Sequence, residues 1–366
     1  MKAGVYIHIP FCLTKCGYCN FFSLPYSRSV FADYFSHLLR EIELNKSRFN
    51  LIPETVYFGG GTPSLLSSAQ INQIIEILEP EANAEITLEI NPVQITEDFV
   101  QSLAQTKVNR LSLGVQTLKD ENLRALGRKH TVASIPHRVQ LLRDAGFDNI
   151  SLDLMYGLPG SSVKDVETDL ERFLALQPEH ISTYLLTIED NVPFRNWKEF
   201  LPNDDNSALQ YATICRILEQ EGYEHYELSN FCRPGKEGRH NLKYWLGEDF
   251  AGMGAGASGF LQGRRYKRPE DFKLWQSAVR KEKLIYEVEK ETPAQQKADF
   301  IIMQLRLMRG LDLSAYRKQF GSDFINDYQT AVSKLTSEGL LRKQNNMLKL
   351  TPPAWFISNH VFQEFV

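Results

Sequence analysis

A short run rich in β-branched and aromatic residues recurs six times along the first half of the chain. The runs are VYIHI (5–9), TVYF (55–58), EITLEI (85–90), RLSLGVQ (110–116), NISLDLMYG (149–157) and HISTYLLTI (180–188). Helical periods lie between them. Phe31, Tyr34, Phe35, Leu38, Leu39 and Ile42 fall on one face of a helix, as do Ile71, Ile74, Ile75 and Leu78. Val163, Val166, Leu170, Phe173 and Leu174 form a third such stripe. Strands that alternate with helices predict parallel βαβ units, because parallel neighbours need a long crossover between them. At least six units in series predict an α/β fold built as a partial parallel barrel, with a doubly wound sheet as the alternative.

From about residue 262 the rhythm changes. RRYKRPEDFKLWQSAVRKEKLI is charged and reads as mostly helical. TPAQQKADFIIMQLRLMRG reads as a helix with a threonine–proline start and a glycine stop. DFINDYQTAVSKLTSEGLLRKQNNMLKLTPPAW reads as a helix followed by a small hairpin. Helices that end in a hairpin resemble a winged helix, so a barrel domain over 1–261 and a smaller, mostly helical, winged-helix-like domain over 262–366 are expected. Composition narrows what that second domain does. The chain has 366 residues, 43% of them apolar and 23% charged, with a net charge of −4. Bulk charge gives no reason to expect a nucleic-acid partner, and a structural or lid role is favoured over DNA binding. No apolar run reaches the ~20 residues of a membrane span, so contact with a membrane is expected only through partners. MKAGVYIHIPFC runs straight into cysteines, without the longer apolar stretch and cleavage site of a secretory leader. The expected compartment is the cytoplasm, where thiols stay reduced and clustered cysteines more often bind metal than pair.

Three of the five cysteines, Cys12, Cys16 and Cys19, fall within eight residues at the end of the first predicted strand. Thiolates suit zinc, copper(I) and iron–sulfur clusters. Structural zinc needs four closed ligands, and Cys215 and Cys232 stand alone far along the chain, Cys215 inside a helical pattern as a buried thiol. Three cysteines on a [4Fe–4S] cluster hold three irons and leave one open to a ligand. The Cys-x-x-x-Cys-x-x-Cys spacing, with Tyr18 before the last cysteine, resembles the radical S-adenosylmethionine (SAM) superfamily. That resemblance implies a [4Fe–4S] cluster whose open iron chelates the amino and carboxylate groups of SAM, and cleavage of the cofactor to a 5′-deoxyadenosyl radical.

Other polar groups fall where a parallel barrel gathers its chemistry, at the C-terminal ends of strands. The second strand ends at Gly59-Gly60-Gly61-Thr62-Pro63, a plain turn or a backbone cradle for an amino acid's ammonium and carboxylate. Glu89 and Asp153 interrupt apolar strands, where a charge is either paired or functional. Arg128 is a candidate carboxylate clamp or a solvated helix-end arginine. Together these positions resemble the oxygen-independent coproporphyrinogen III oxidases and their HemW-type relatives. The match implies SAM contacts at Tyr6, Gly60, Glu89, Gln116, Arg128 and Asp153. A second SAM molecule would meet Tyr18, Gly61, Thr62 and Thr187.

Three features favour the HemW-type, haem-chaperone side of that family. The oxidase pattern has a further cysteine two residues after the third, where this chain has Asn20-Phe21. The oxidases carry an extension before the first strand, whereas here that strand begins at about Gly4. RHNLKYW (239–245) matches a His-Asn-x-x-Tyr-Trp element of HemW-like proteins. In a helix His240 and Tyr244 share a face, either as a capped helix with buried aromatics or as an imidazole and an aromatic cover for haem. GMGAGASG (252–259) contains Gly-x-Gly-x-x-Gly without the acidic residue of a dinucleotide site, and reads instead as a tight turn lining the mouth. His8 reads equally as a group behind the cluster or as a core histidine. The resemblance thus implies a chaperone that binds haem or a related porphyrin and passes haem to respiratory haemoproteins. A flavodoxin or ferredoxin would be its electron donor. Radical oxidative decarboxylation of coproporphyrinogen III is the alternative function, and a zinc-stabilised binding module the third.

Overall fold

The computed structural model describes residues 1–282, 287–288 and 291–366. Contacts group them into two compact units, Met1–Ile214 with Asp249–Glu289 and Cys215–Glu248 with Lys290–Val366.

In the first unit six strands follow one another in parallel: β1 (Lys2–Ile9), β2 (Ile52–Gly60), β3 (Glu85–Ile90), β4 (Arg110–Gln116), β5 (Ile150–Tyr156) and β6 (His180–Leu185). Each pairs with the next in chain order. A doubly wound sheet would reverse its order at a switch point; this one does not, and the partial barrel expected from the sequence is the observed fold. The crossovers carry α1 (Arg28–Phe49), α2 (Ser68–Leu78), α3 (Glu97–Leu103), α4 (Asp120–Ala125), α5 (Ile135–Asp144) and α6 (Val163–Ala175).

The pleat explains the mixed character of the strands, since successive side chains point to opposite faces. Val5, Ile7, Ile9, Val56, Phe58, Leu88, Leu113 and Leu152 are buried on one face. The predicted helical stripes are buried too, through Tyr34, Leu38 and Ile42 of α1, Ile71, Ile74 and Leu78 of α2, and Leu170 and Phe173 of α6. Each such side chain contributes about 1.5–3 kcal/mol relative to exposure. The alternate positions, Tyr6, His8, Tyr57, Gly59, Glu89, Ser112, Gly114 and Asp153, are the polar, aromatic and glycine residues that interrupt the apolar runs.

The sheet continues on the other side of β1. Phe250–Met253 pairs parallel to it, with Gly4 opposite Phe250 and Ile7 opposite Met253. Ser258–Leu261 and Arg264–Lys267 then add antiparallel strands. The expected boundary at 261/262 therefore falls in the turn of a hydrogen-bonded hairpin, and residues up to 289 group with the barrel while 215–248 group with the second unit. Arg264–Lys267 is strand where helix was expected, and the helix spans Phe272–Arg280 behind an Asp271 cap; residues 283–285 of that predicted stretch lie outside the described residues.

In the second unit, Leu311–Asp312 pairs with Met347–Leu350, which pairs in turn with Leu341–Gln344. Ile301, Leu305, Tyr316, Phe324, Leu335 and Leu348 form its core. Helices followed by this hairpin match the winged-helix-like expectation. The helix Pro293–Leu305 starts at Thr292 as predicted but ends five residues before Gly310, which instead serves a turn at φ +83°. Cys215 and Cys232 are buried thiols in this unit.

Candidate cluster and cofactor site

The cysteine loop is pinned at its root. Phe11, just past β1, is fully buried and meets the rings of Phe31 and Tyr34 edge-on at 5.3 and 5.2 Å. Phe11–Cys12 pairs with Leu24–Pro25, and the Tyr26 amide donates to the Cys12 carbonyl at 3.0 Å, closing the loop. Within it the Cys19 amide donates to the Cys16 carbonyl at 3.1 Å, and Lys15 Nζ donates to the Phe21 carbonyl at 3.0 Å. Gly17 lies under the Phe194 ring, where a β-carbon would overlap the ring, and its carbonyl accepts from the Phe194 amide. Tyr18 packs against the cluster of Leu126, Met155, Leu158 and Leu186.

The three thiols remain half-buried and unpaired by disulfide. Burial pushes the Cys19 thiol up, and Cys12 and Cys16 push the same way, so the three sulfurs feel one another. Arg128 approaches from the segment after α4: Nη1 donates to Cys16 Sγ at 3.8 Å and Nη2 donates to the Gly114 carbonyl. Among the described residues no three His, Cys, Asp or Glu side chains converge as on a single metal ion. A cubane does not require that convergence, because each thiolate takes its own iron.

The strand ends bring most of the predicted residues to one mouth. Tyr6 stacks on Tyr57 at 6.0 Å, and its hydroxyl bonds His8 Nδ1 at 3.0 Å. Gly60, at φ +116°, donates its amide to Glu89 Oε2 at 3.1 Å, while Tyr57 donates to Oε1 at 2.8 Å. Gly61 runs so close to Phe11 that a β-carbon would stand 2.7 Å from the Phe11 carbonyl oxygen. Burial lifts the Glu89 carboxyl to about 7 against the pull of its Tyr57 and Gly60 bonds. Burial likewise lifts Asp153 to about 6, although Ser112 donates to its Oδ1 at 3.1 Å. Gln116 ends β4 at φ +73°, in a register shift between Leu113 and Gln116, an unusual conformation for a residue with a β-carbon. Two carboxyls whose pKa values are lifted toward neutral pH and one guanidinium suit a ligand that carries both an ammonium and a carboxylate.

Not every predicted residue joins this group. Thr62 precedes a short 3-10 turn without capping it, and Thr187 is exposed beyond β6. His240 belongs to the second unit, on the helix Arg239–Leu246. It is 1% exposed, bonds the Tyr244 hydroxyl through Nε2 at 2.8 Å, and is held down to about 3 by burial. The expected pairing of His240 with Tyr244 is real, but it forms a core contact, and iron ligation through Nε2 would require the phenol to leave. The glycine run 252–259 does lie by the mouth: Gly254 packs on the His8 carbonyl and Gly256 on the Phe22 ring. Sequence reasoning missed Tyr57 and Ser112. Their signal was phase, since both sit on the same alternate positions as Glu89 and Asp153.

Comparisons with known proteins agree with this geometry. The Radical SAM superfamily profile matches residues 6–173, and the HemN C-terminal domain profile matches residues 292–357. The chain is 36% identical to "Heme chaperone HemW" of Lactococcus lactis subsp. lactis (strain IL1403), over 99% of this chain and 97% of that protein. The Bacillus subtilis (strain 168) protein of the same name is 31% identical over 100% and 99% of the two chains. The chain belongs to the HemW family of radical SAM proteins. In fold this HemW-family chain is also similar to the coproporphyrinogen III oxidase HemN from Escherichia coli, with TM-score 0.85 at 23% identity over 100% of this chain and 90% of that one.

Membership of the radical SAM superfamily implies a [4Fe–4S] cluster and SAM, and the HemW-family chain has residues that fit both. Three soft thiols sit on one braced loop, with a guanidinium beside one of them to offset thiolate charge. The glycine-lined mouth adjoins that loop through Gly61 and Phe11.

Proposed function

We propose that this chain is a haem chaperone that binds haem in a form it can release to haem-dependent proteins, respiratory haemoproteins among them, in the reducing cytoplasm. The end-to-end similarity to proteins named heme chaperone HemW carries the reading. Cys12, Cys16 and Cys19 would ligate the cluster. Tyr6, Gly60, Glu89, Gln116, Arg128 and Asp153 would hold one SAM molecule, with Tyr18, Gly61, Thr62 and Thr187 meeting a second. The cluster and SAM supply one-electron chemistry when bound. The chain's own groups would orient the cofactor: Glu89 and Asp153 would face its ammonium, while Arg128 would face its carboxylate.

The test uses protein reconstituted anaerobically with iron and sulfide and titrated with haem. About three to four irons per chain, and a Soret shift that saturates near one haem per chain, are expected. Release of that haem to an apo-haemoprotein should follow. No Soret shift in wild type, or turnover of coproporphyrinogen III with loss of carbon dioxide, would replace the chaperone reading with the oxidase one. His240→Ala should leave the haem spectrum unchanged, given its buried bond to Tyr244.

A further inference from the structure

We propose that His180 is a positioning residue for Asp153, acting through Ser151 and Ser182 across the interior of the barrel. It rests on the reading of Asp153 as a contact to the SAM ammonium, and adds what keeps that carboxylate charged and aimed.

A parallel barrel is ordinarily filled by branched apolar side chains. Behind Asp153 this one is not. The inward positions there are Arg110 and Ser112 of β4, Ser151 of β5, and His180 and Ser182 of β6, all buried. Register sets them in layers. Asp153 lies opposite Ser182, and Ser151 lies opposite both His180 and Ser112. Residues two apart on a strand share a face, so one layer meets the next. His180 Nδ1 is 2.8 Å from Ser151 Oγ, and Ser151 Oγ is 3.4 Å from Ser182 Oγ, the longest link. Ser182 bonds Asp153, whose Oδ1 also accepts from Ser112 at 3.1 Å. A buried imidazole and buried hydroxyls cost free energy unless they are bonded, and here the bonds run to one end, the carboxyl at the mouth.

Charge fixes the direction of the chain. An ionised carboxylate only accepts, so Ser182 must donate its one proton to Asp153. Ser182 then accepts from Ser151, and Ser151, its own proton used, accepts from His180. The imidazole is therefore the Nδ1–H tautomer when Asp153 is ionised. Burial, with Arg110 nearby, holds His180 well below its ordinary value, so the donor is a neutral ring. Arg128 and Arg110 also favour the charge on Asp153, Glu89 opposes it, and Tyr57 stands within its field. Donation from the imidazole keeps both hydroxyls turned toward the mouth. Without it they are free to turn back, and the ionised form of Asp153 loses support.

The full chain, reconstituted anaerobically with iron and sulfide, is titrated with SAM by equilibrium dialysis across the acid and neutral range. His180→Leu should weaken binding roughly fivefold near pH 6, where Asp153 titrates, and match wild type by about pH 8.5. His180→Asn sets an amide N–H where Nδ1–H stood and should restore the wild-type profile. Ser151→Ala should behave as His180→Leu does, and decides if the leucine variant does not fold. Nitrogen NMR of labelled histidine should find the His180 proton on Nδ1 in the SAM complex. A loss equal at every pH assigns His180 to packing and overturns the proposal. So does a profile that coincides with wild type, or a proton on Nε2. Carbon NMR of labelled aspartate in SAM-free protein separates this inference from the reading beneath it. A raised Asp153 midpoint in His180→Leu, in a protein that binds no SAM, keeps the chain and refutes the SAM contact. An unchanged midpoint refutes the chain whether or not SAM binds.

Discussion

At the scale of single residues, Glu89 shows most clearly how the barrel is prepared for a cationic ligand. Burial raises its carboxyl from an ordinary 4.5 to about 7 while Tyr57 and Gly60 hold it in place. A raised carboxyl favours the protonated fold, so its contribution to stability without ligand is full below about pH 4.5 and is lost as pH rises through about 7. A bound ammonium or sulfonium reverses this preference, because it needs the ionised form. The affinity for SAM should therefore rise roughly 25-fold between pH 5.5 and 7.5 and level off above that. Glu89→Gln should weaken binding and flatten the profile, as read by equilibrium dialysis under argon. A wild-type affinity independent of pH would remove Glu89 from the ammonium contact. The sequence disclosed Glu89 and Asp153 because a charge inside an apolar strand is costly and therefore conspicuous. It concealed Tyr57 and Ser112 because tyrosine and serine carry no such cost. It left His240 open because the same helical spacing builds a ligand face or a core pair, and only burial separates the two.

At the scale of elements, local chemistry decided what was legible. The six strands and the stripes of α1, α2 and α6 were readable because their periods of 2 and 3.6 come from backbone geometry alone. Thr292 was readable as a helix start, and it forms a reciprocal pair with Gln295: the Gln295 amide donates to Thr292 Oγ1 at 3.3 Å, and the Thr292 amide donates to Gln295 Oε1 at 2.8 Å. Thr292→Ala should cost about 1 kcal/mol, seen as faster hydrogen exchange in the first turns of Pro293–Leu305 with no change in the barrel amides. Thr292→Ser should restore protection. The strand Arg264–Lys267 was not readable. Its four residues are charged or aromatic, and they are strand because Ser258–Leu261 lies beside them, a partner that local periodicity does not reveal. Gly310 misled for a related reason, since glycine marks a positive φ without saying which turn requires it.

At the scale of the whole molecule, the routing of the chain explains why a single boundary was expected and not found. The run after residue 262 reads as a new charged segment, but Arg268 within it is buried with Glu41 of α1, Nε to Oε1 at 2.8 Å. Glu41 Oε2 also accepts from the Gly254 amide at 2.8 Å and from Trp275 Nε1 at 3.0 Å, and Arg268 Nη2 donates to Asn45 at 3.1 Å. These bonds fasten the returning segment 249–282 to the first crossover helix, beside the end of β1 and the cysteine loop. Removing one partner of such a pair strands the other charge without water. Arg268→Ala should therefore cost about 3–5 kcal/mol, far more than an exposed arginine, whose loss lies within about 0.5 kcal/mol. Replacing both partners, Glu41→Leu with Arg268→Met, should recover much of that loss, because the desolvation cost goes with the charges. Denaturant unfolding followed by near-ultraviolet circular dichroism, which senses Trp275 stacked on Tyr34 at 4.8 Å, reads the effect at the junction itself. The second unit has a core of its own, so hydrogen exchange of Ile301, Leu335 and Leu348 should stay at the wild-type level in the single variant. If Arg268→Ala unfolds at the wild-type midpoint, strand pairing alone holds the segment to the barrel, and the buried ions contribute nothing to its attachment.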